Sequence, residues 1–475
     1  MAIRSINPRT GEVFGPIFPE STSKEISEAV ARAQGAQKVW GTDLGLRIRA
    51  LNAIADALDT DSDELVKIAD LESGLGIARL TGEVARTSYQ LRTFAHTLSS
   101  GKISLSKEDD AIVGAPPQGH SRFVKELIPL GVVAVFGASN FPFAFSVLGG
   151  DTASALAAGC SVIVKGHAGH PATSLRTFNL AKHALEQVGA PDHTFQIIYG
   201  FEAGKTLLES EGVAAGAFTG SKQGGMALWN MANSRPSPIP FYGELGSVNP
   251  VVALASGVEE SALFAKNYLD SLLMGNGQFC TNPSILFIPE GLGIEEEVAN
   301  QITERESQPF LTEATKTLHD ENRELLENIF KSKVAQGINN NSQGFYSAPQ
   351  VLISNVRSAL TVDSVFEIEC FGPTGIVLTY SHIDELLLGI ECMGGALAAS
   401  IFASENDQDI DSVILALKER CGRIAWNAWP TGVAVTDGQH HGGPFPATTN
   451  ALSTSVGIDA IFRFMRPVAL QGFPI

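Results

Sequence analysis

Cysteine is scarce in this sequence, and the spacing of the few cysteines argues against two common uses of the residue. The chain has 5 cysteines in 475 residues, at positions 160, 280, 370, 392 and 421. Their number is odd and they lie far apart, which argues against a disulfide framework and predicts a reducing compartment, the cytosol. The sequence has no Cys-x-x-Cys pair and no clustered histidines that would provide zinc ligands. It therefore predicts no metal site.

Acidic residues outnumber basic residues, and long uninterrupted hydrophobic runs are missing. Lys and Arg total 33 against 51 Asp and Glu, a formal net charge of −18. Binding to nucleic acids or anionic lipid surfaces normally needs a basic patch, so neither partner is expected. The most apolar region, residues 132–160, is interrupted by Asn140, Pro142 and Asp151, and polar and turn residues follow Met1. Neither a membrane span nor a signal peptide is predicted.

Apolar residues are abundant, and they follow a regular alternation of strand and helix patterns. Hydrophobic residues make up 44% of a chain that is too long for one core, so two or three domains are expected. A uniformly apolar segment with the pattern of a buried parallel strand lies at residues 132–136, and further apolar strands are predicted at residues 161–165, 194–199 and 213–218. Helical patterns lie before, between and after them, at residues 23–39, 46–58, 80–98, 151–158, 174–188, 203–209, 262–273 and about 295–333. Further apolar strands near residues 351, 375 and 398 complete a prediction of a doubly wound sheet followed by a second α/β domain.

One of the five thiols lies on a glycine-rich turn. Cys280 ends the stretch Gly275-Asn276-Gly277-Gln278-Phe279-Cys280, shortly before the apolar run at residues 284–288. Glycines permit backbone conformations that are closed to other residues and let a ligand approach the main chain, which favours a presented thiol. The alternative is a buried cysteine that follows a turn.

Other polar residues are candidates for a site. Glu244 lies between glycines and apolar residues, where partial desolvation predicts a raised pKa suited to a general base; the alternative is a turn cap. Gly220 and Ser221 close a strand and open a helix, so they either meet a pyrophosphate or form a plain turn with a helix cap. Arg86 and Gln90 are four residues apart on a helix, and their shared face is either a solvated stripe or the border of a ligand entrance.

Seven sequence pieces, in this order, resemble the aldehyde dehydrogenase family across essentially the whole chain. They are Ser139-Asn140-Phe141-Pro142, Lys165, Phe218-Thr219-Gly220-Ser221, Glu244-Leu245-Gly246, Gly277-Gln278-Phe279-Cys280, Glu369-Cys370-Phe371-Gly372-Pro373 and Asn427. Residues 136–142, 149–155, 165–167 and His441-Gly442-Gly443-Pro444-Phe445-Pro446 are similar to the α-ketoglutaric semialdehyde dehydrogenases. Bacterial long-chain aldehyde dehydrogenases share these features.

The resemblance implies a fold and a division into domains. It implies a Rossmann-type NAD(P)-binding domain of residues 1–119 and 132–245 and an α/β catalytic domain of residues 246–440. Residues 120–131 and 455–475 correspond to a small oligomerisation hairpin and a bridging strand. Other members use these segments to join a partner's sheet, so a homodimer or homotetramer is implied.

The resemblance also implies roles for the candidate residues. Cys280 would attack the aldehyde, Asn140 and the Cys280 backbone N–H would hold the oxyanion, and Glu244 would activate the water that hydrolyses the thioester. The implied cofactor is NADP or NAD. The residues implied to bind it or lie beside it are Lys165 and Glu369 at the riboses, Ser221 at the pyrophosphate, and Gly220, Phe371, Ala138 and Ala168.

Ala168 departs from the pattern of many NAD-preferring relatives. Those relatives carry a glutamate three residues after the ribose-binding lysine, where it repels a 2′-phosphate; here the position is Ala168. His167 and His170 either favour the added negative charge or are solvated loop residues. These positions favour NADP and leave NAD open.

The implied substrate is α-ketoglutaric semialdehyde, which would be oxidised to 2-oxoglutarate. Arg86, assisted by Gln90, is predicted to bind its distal carboxylate, because the guanidinium fork suits a carboxylate. Phe143, Phe145 and Phe279 are predicted to be the apolar residues that line the aldehyde tunnel. Alternatives are a fatty or succinic semialdehyde, acyl transfer to coenzyme A, which Glu244 disfavours, and a catalytically silent NAD(P)-binding homologue.

Overall fold

The computed structural model describes residues 3–474, so the ends of the predicted segments at residues 1, 2 and 475 lie outside it. The strands in the described part are β1 (Ile3–Ile6), β2 (Val13–Phe18), β3 (Ser106–Asp109), β4 (Phe123–Pro129), β5 (Val132–Phe136), β6 (Val162–Lys165), β7 (Phe195–Ile198), β8 (Val213–Thr219), β9 (Phe241–Glu244), β10 (Pro250–Ala253), β11 (Ile285–Pro289), β12 (Lys333–Gln336), β13 (Gln350–Asn355), β14 (Thr374–Tyr380), β15 (Ala399–Phe402), β16 (Ile424–Trp426) and β17 (Met465–Gln471). The α-helices are α1 (Ser23–Trp40), α2 (Leu44–Thr60), α3 (Ser62–Ser73), α4 (Ile77–Ser99), α5 (Gly150–Ala158), α6 (Pro171–Gln187), α7 (Phe201–Glu209), α8 (Lys222–Asn233), α9 (Ser261–Leu272), α10 (Ile294–Ile302), α11 (Glu313–Ile329), α12 (Val356–Ala359), α13 (Ile383–Glu391) and α14 (Ile410–Lys418).

A five-stranded parallel sheet forms the first α/β unit, in the order β7-β6-β5-β8-β9. Its central strand β5 is uniformly apolar because helices cover both faces of the sheet. Val133 and Val135 of β5 pack with α2, α4, α5 and α6, whereas Ala134 and Phe136 pack with α1 and α7. The strand order reverses between β5 and β8, the point where doubly wound sheets bind ligands at their carboxyl ends. The predicted doubly wound sheet is confirmed.

A seven-stranded sheet forms the second α/β unit, in the order β12-β13-β14-β11-β10-β15-β16. All its pairings are parallel except that of β12 with β13. Separate apolar clusters cover its two faces, one with α13 and α14 and the other with α9 and α10. The charged region predicted as helical over residues 295–333 forms two helices, α10 and α11, separated by a segment that contains Pro309.

A three-stranded antiparallel sheet joins the C-terminal strand to the hairpin, in the order β17-β4-β3. Within this chain, β17 therefore pairs with β4, the strand of the predicted oligomerisation hairpin. The use of these segments in subunit assembly, like the proposed domain limits, stays a prediction.

The N-terminal helices are longer than the sequence pattern predicts. α1 begins with a capping box in which Thr22 and Glu25 hydrogen-bond each other's backbone N–H groups. α3 was not predicted, and a single residue, Asp61, separates its start from the end of α2. In the part of the chain that the structure describes, no helix combines the length and the apolar character needed to cross a bilayer.

Candidate active site

A cavity of about 930 Å³ opens at the carboxyl ends of β5, β6 and β8 and extends to the second α/β unit. Its position is the switch point of the five-stranded sheet, where a dinucleotide is expected. Eight of the predicted site residues line it: Asn140, Lys165, Gly220, Ser221, Glu244, Cys280, Glu369 and Phe371. The structure thus brings together residues that lie up to 231 positions apart in the sequence.

Cys280 reaches the cavity because the turn before it has an unusual backbone. Gly275, Asn276 and Gly277 have consecutive φ values of 57°, 58° and 68°, a left-handed conformation that favours glycine. A Cβ on Gly277 would lie 2.0 Å from the carbonyl oxygen of Gly372. The glycine therefore admits the approach of another backbone segment, whereas the sequence had predicted the approach of a ligand. Cys280 is partly exposed to the cavity, so the alternative of a fully buried cysteine is wrong.

Glu244, His441 and Cys280 form one contact chain. His441 Nε2 lies 2.8 Å from Glu244 Oε1 and 3.5 Å from Cys280 Sγ. The Ser455 hydroxyl donates to the other carboxylate oxygen of Glu244, and the backbone N–H of His441 donates to Thr454 Oγ1 at 2.9 Å. The sequence analysis assigned no role to His441, although its glycine-rich segment was part of the resemblance. Its imidazole is 1% exposed.

The charges in this cluster affect Cys280 and Glu244 in opposite ways. Burial raises the pKa of the Cys280 thiol well above its ordinary value, and the nearby Glu244 carboxylate raises it further. Burial also acts to raise the pKa of Glu244. Its electrostatic interaction with His441 and hydrogen bonds from His441 and Ser455 outweigh burial, so the net pKa is lowered. The prediction of a raised Glu244 pKa is wrong, because its donors come from residues 197 and 211 positions away.

These side chains also have the chemistry and spacing of a metal-ligand set. One ligand atom each of Glu244, Cys280 and His441 lies within 4.8 Å of the other two. No metal site was predicted from the sequence, because it has no Cys-x-x-Cys pair and no clustered histidines that would provide zinc ligands.

Asn140 lies beside the thiol in a fixed orientation. Its side-chain N–H donates to the backbone carbonyl of Gln278 at 3.0 Å, and its own backbone carbonyl accepts from Arg79 Nη2 at 2.7 Å. An amide nitrogen has two hydrogens, so a second N–H is available at this end of the cavity. This arrangement suits stabilisation of a developing oxyanion.

The predicted ribose-binding residues lie on opposite units. Glu369 accepts a hydrogen bond from the backbone N–H of Ser247 at 3.2 Å, and burial raises its pKa to about 7. A Cβ on Gly246 would lie 1.9 Å from a carboxylate oxygen of Glu369, so the glycine makes room for this side chain. Burial lowers the pKa of Lys165 on the facing sheet.

Ser221 caps a helix, as one of the two interpretations from the sequence proposed, and its contact with a pyrophosphate stays a prediction. Its hydroxyl accepts from the backbone N–H of Gly224 at 3.2 Å and caps α8. The same residue lines the cavity together with Gly220. The N-terminus of α8 therefore faces the cavity, where a helix end favours a phosphate.

The residues predicted to affect cofactor choice do not provide a positive charge. Ala168 is exposed and lies outside the residues that line the cavity, as does the buried Ala138. The ring of His170 is buried between the carbonyl oxygen of Ala138 at 3.0 Å and the Ser174 hydroxyl at 3.1 Å. Burial lowers the pKa of His170 and of His167. Neither the cationic nor the solvated interpretation fits His170.

Phe143 and Phe279, two of the predicted tunnel residues, are both buried but pack in different surroundings. Phe143 is 0% exposed and packs in the helical core of the first unit, so the prediction that it lines the tunnel is wrong. Phe279 packs edge to face against Phe141, with ring centroids 5.1 Å apart, and Arg79 lies 4.6 Å from its ring. Phe141 itself lines the cavity.

Arg86 and Gln90 are not a solvated stripe. Arg86 Nε donates to the carbonyl of Val433 at 3.4 Å, and its guanidinium lies 5.1 Å from the ring of the cavity residue Phe145. No described residue accepts a hydrogen bond from either Nη atom of Arg86 or from Nε2 of Gln90, although these atoms are buried. Burial lowers the pKa of Arg86, and interactions with Glu83, Cys280 and Glu244 oppose it.

Arg423 is a second cation near Cys280 that the sequence analysis missed. It donates to the carbonyls of Pro430 and Gly432, while its buried Nε has no acceptor among the described residues. Burial lowers its pKa and its interaction with Cys280 raises it. The backbone of residues 430–433 is thus bound by Arg86 and Arg423 together. Nothing in the local sequence of Arg423 marks it, because the contact is tertiary.

Comparison with known proteins agrees with this geometry. The aldehyde dehydrogenase family model matches residues 1–451. The chain is 37% identical over 481 residues to alpha-ketoglutaric semialdehyde dehydrogenase 2 of Azospirillum brasilense, covering 99% of this chain and 91% of that one. It is also 37% identical over 487 residues to the alpha-ketoglutaric semialdehyde dehydrogenase of Acinetobacter baylyi, covering 99% of this chain and 90% of that one.

A solved structure of a Pseudomonas syringae aldehyde dehydrogenase C mutant, in complex with NAD+ and octanal, has the same fold. It superposes with a TM-score of 0.84 at 20% identity, covering 100% of this chain and 94% of that one. The resemblance inferred from the sequence motifs is confirmed. The chain belongs to the aldehyde dehydrogenase family.

Proposed function

We propose that this protein oxidises α-ketoglutaric semialdehyde to 2-oxoglutarate with NAD or NADP. The observation that carries the proposal is the position of Cys280, Glu244 and Asn140 at one end of the cavity that Lys165 and Ser221 also line. The two relatives at 37% identity, named for this semialdehyde, support the choice of substrate.

The residues of this cavity fit a dinucleotide. The α8 N-terminus is suited to the pyrophosphate, and Lys165 and Glu369 are suited to the riboses. In this position a bound NAD(P) would supply an acceptor for the hydride of the aldehyde carbon. Ala168 carries no charge that would repel a 2′-phosphate, and His167 and His170 do not add a positive charge that would attract one.

The chemistry then follows from the side chains around Cys280. The thiolate attacks the aldehyde carbon, and Asn140 with the Cys280 backbone N–H stabilises the oxyanion. Loss of hydride leaves a thioester on Cys280. Glu244, kept ionised by His441 and Ser455, removes a proton from the water that hydrolyses the thioester. The presence of this carboxylate disfavours acyl transfer to coenzyme A and a catalytically silent homologue.

Buried cations without acceptors support a substrate that carries a second negative charge. Arg86 has two guanidinium nitrogens and Arg423 has one for which no described residue is an acceptor. Buried unpaired donors are rare and indicate a missing anion or water. The distal carboxylate of a semialdehyde supplies such an acceptor, with Gln90 as an additional donor. The cytosolic location and homo-oligomeric assembly stay predictions.

The test measures kcat/KM for α-ketoglutaric semialdehyde, succinic semialdehyde, glutaraldehyde and decanal, each with NAD and NADP. Arg86→Ala and Arg423→Gln should each raise KM for α-ketoglutaric semialdehyde by roughly tenfold to a hundredfold, the effect of a charge-assisted hydrogen bond. Decanal should be unaffected, and Cys280→Ser should be inactive with every aldehyde.

Two outcomes would contradict the proposal at different levels. An equal rise in KM for decanal would make Arg86 structural and favour a fatty aldehyde, in agreement with the apolar rings of Phe141, Phe145 and Phe279. Activity of Cys280→Ser within roughly tenfold of wild type would reject the nucleophile itself.

A further inference from the structure

Two side chains of α4 hold the backbone segment that carries Asn140. This segment lies between β5 and α5, and the structure describes it as neither helix nor strand. Arg79 Nη2 donates to the backbone carbonyl of Asn140 at 2.7 Å. Glu83 Oε1 accepts from the backbone N–H groups of Phe143 at 2.8 Å and of Ala144 at 3.0 Å. Side chains therefore satisfy backbone groups that a helix or a sheet would otherwise satisfy.

Arg79 also contacts the turn that carries the nucleophile. Its guanidinium lies over the rings of Phe141 and Phe279, 4.9 Å and 4.6 Å from the ring centroids. Phe279 directly precedes Cys280, whose backbone N–H is the second predicted oxyanion donor. A Cβ on Gly275, the first glycine of the turn, would lie 2.3 Å from Arg79 Nη1. One guanidinium thus contacts both chain segments that carry a predicted oxyanion donor.

The burial of Arg79 and Glu83 makes these contacts significant. Burial lowers the pKa of Arg79 and raises that of Glu83, and the interaction between them opposes both shifts. Arg79 Nε and Nη1 and Glu83 Oε2 are buried without a hydrogen-bond partner among the described residues. The faces of the aromatic rings stabilise the charge of the guanidinium instead. Buried ionisable groups are costly to keep unless they make specific contacts.

We infer that Arg79 and Glu83 are positioning residues that act on hydride transfer through Asn140. The inference rests on the proposed function, in which the Asn140 amide stabilises the oxyanion. An oxyanion donor is effective only within hydrogen-bond distance of the developing charge, and a displacement of about 1 Å is costly. The hydrogen bond from Asn140 to the Gln278 carbonyl orients the amide, and α4 fixes the backbone from which this side chain extends.

The test is a double-mutant cycle between Arg79 and Asn140. The measurement is the pre-steady-state rate of NAD(P)H formation with glutaraldehyde, which carries no carboxylate. Arg79→Met should lower this rate by roughly tenfold to a hundredfold, with the KM for glutaraldehyde and the Kd for NADP within roughly threefold of wild type. Asn140→Ala should lower the rate by roughly a hundredfold or more. Adding Arg79→Met to Asn140→Ala should cost no more than roughly a further threefold, because the amide is already missing.

Two further comparisons separate positioning from other effects. Arg92→Met is the matched control, because Arg92 lies on the same helix and pairs with Asp56 and Asp59; it should keep the wild-type rate. Glu83→Leu should lower the rate, whereas Glu83→Gln keeps an oxygen acceptor for the two backbone N–H groups and should lose less. If Arg79→Met does not fold, Arg79→Lys replaces it in the cycle.

Losses that multiply in the double variant would overturn the inference, because Arg79 would then act independently of Asn140. A loss confined to the KM for α-ketoglutaric semialdehyde would also overturn it and would assign Arg79 to the distal carboxylate of the substrate. A wild-type rate in Asn140→Ala would reject the oxyanion site of the proposed function and the inference with it. A large loss in Asn140→Ala with a wild-type rate in Arg79→Met would overturn the inference alone.

Discussion

At the residue scale, two donors from the C-terminal part of the chain govern Glu244. His441 and Ser455 each donate to one oxygen of its carboxylate, and together they lower its pKa despite burial. The ionised carboxylate of Glu244 raises the pKa of the neighbouring Cys280 thiol. The site thus holds a ready base and a protonated nucleophile, and activation requires one proton to move between them.

Glu244→Gln separates acylation from deacylation. The amide cannot take a proton from water, so turnover should fall by roughly a hundredfold or more. A burst of about one NAD(P)H per active site should remain in stopped-flow absorbance, at a rate that falls if Glu244 also takes the thiol proton. A variant with normal turnover and no burst would place the base on another residue.

Ala168→Glu tests the role of the loop after β6 in cofactor choice. A carboxylate beside the adenosine ribose should lower kcat/KM for NADP by roughly tenfold through like-charge repulsion and leave NAD nearly unchanged. Ala168→Gln, which adds the same volume without charge, is the control. An unchanged ratio of kcat/KM for NADP to kcat/KM for NAD would mean that the exposed Ala168 lies too far from the ribose.

At the element scale, the turn between α9 and β11 determines the position of the thiol. Its left-handed residues bring the backbone of Gly277 against Gly372, which lies shortly after Glu369. The close approach of Gly277 to Gly372 therefore links the turn that positions Cys280 to the segment that contains Glu369. Packing between these two glycines connects the nucleophile end of the cavity to the predicted cofactor end.

Gly277→Ala tests this approach. Both this variant and Gly291→Ala introduce a Cβ at a positive φ, of 68° and 86°, which costs about 1–2 kcal/mol. Gly291 has no atom within 4 Å of that Cβ, whereas at Gly277 it would lie 2.0 Å from a carbonyl oxygen. Denaturant unfolding should show a further loss of about 1–3 kcal/mol for Gly277→Ala, accompanied by a lower kcat. Equal losses of stability in the two variants would show that the contact relaxes without cost.

At the scale of the whole molecule, residues 441–471 connect the active site, the first α/β unit and the three-stranded sheet. His441 and Ser455 enter the active site, and β17 completes the three-stranded sheet. Between them Arg463 donates to Asp151 of α5 at 2.7 Å and to Ser154 at 3.1 Å, and Arg463 and Asp151 are 5% and 9% exposed. The segment is therefore fixed to the first unit by a buried ion pair.

Arg463→Met should destabilise the fold by about 3–5 kcal/mol, because it leaves the buried Asp151 carboxylate without its partner. Denaturant unfolding of the single variant and of Arg463→Met with Asp151→Asn measures the effect, and the double variant should recover part of the loss. Arg357→Met removes a surface ion pair with Glu385 and should leave the unfolding midpoint near wild type. An unfolding midpoint of Arg463→Met that is also near wild type would mean that the Arg463–Asp151 ion pair is not required for stability.

The sequence by itself determined the central strands of the parallel sheets and the identity of the main candidate residues, whereas α3 and the division of residues 295–333 into two helices were not predicted. Strand β5 was predicted with its observed limits, since a uniformly apolar run reports burial on both faces locally. Cys280, Glu244 and Asn140 were found because each lies in a short motif.

Only the tertiary structure decided what surrounds these residues. The direction of the Glu244 pKa shift, the partners of His441 and the position of Arg423 depend on segments far apart in the chain. Phe143 was misassigned for the same reason, because an apolar ring looks alike in sequence whether it lines a tunnel or fills a core. Hydrogen bonds, charges and packing act through space over a few ångströms, and sequence order does not specify which distant groups come that close.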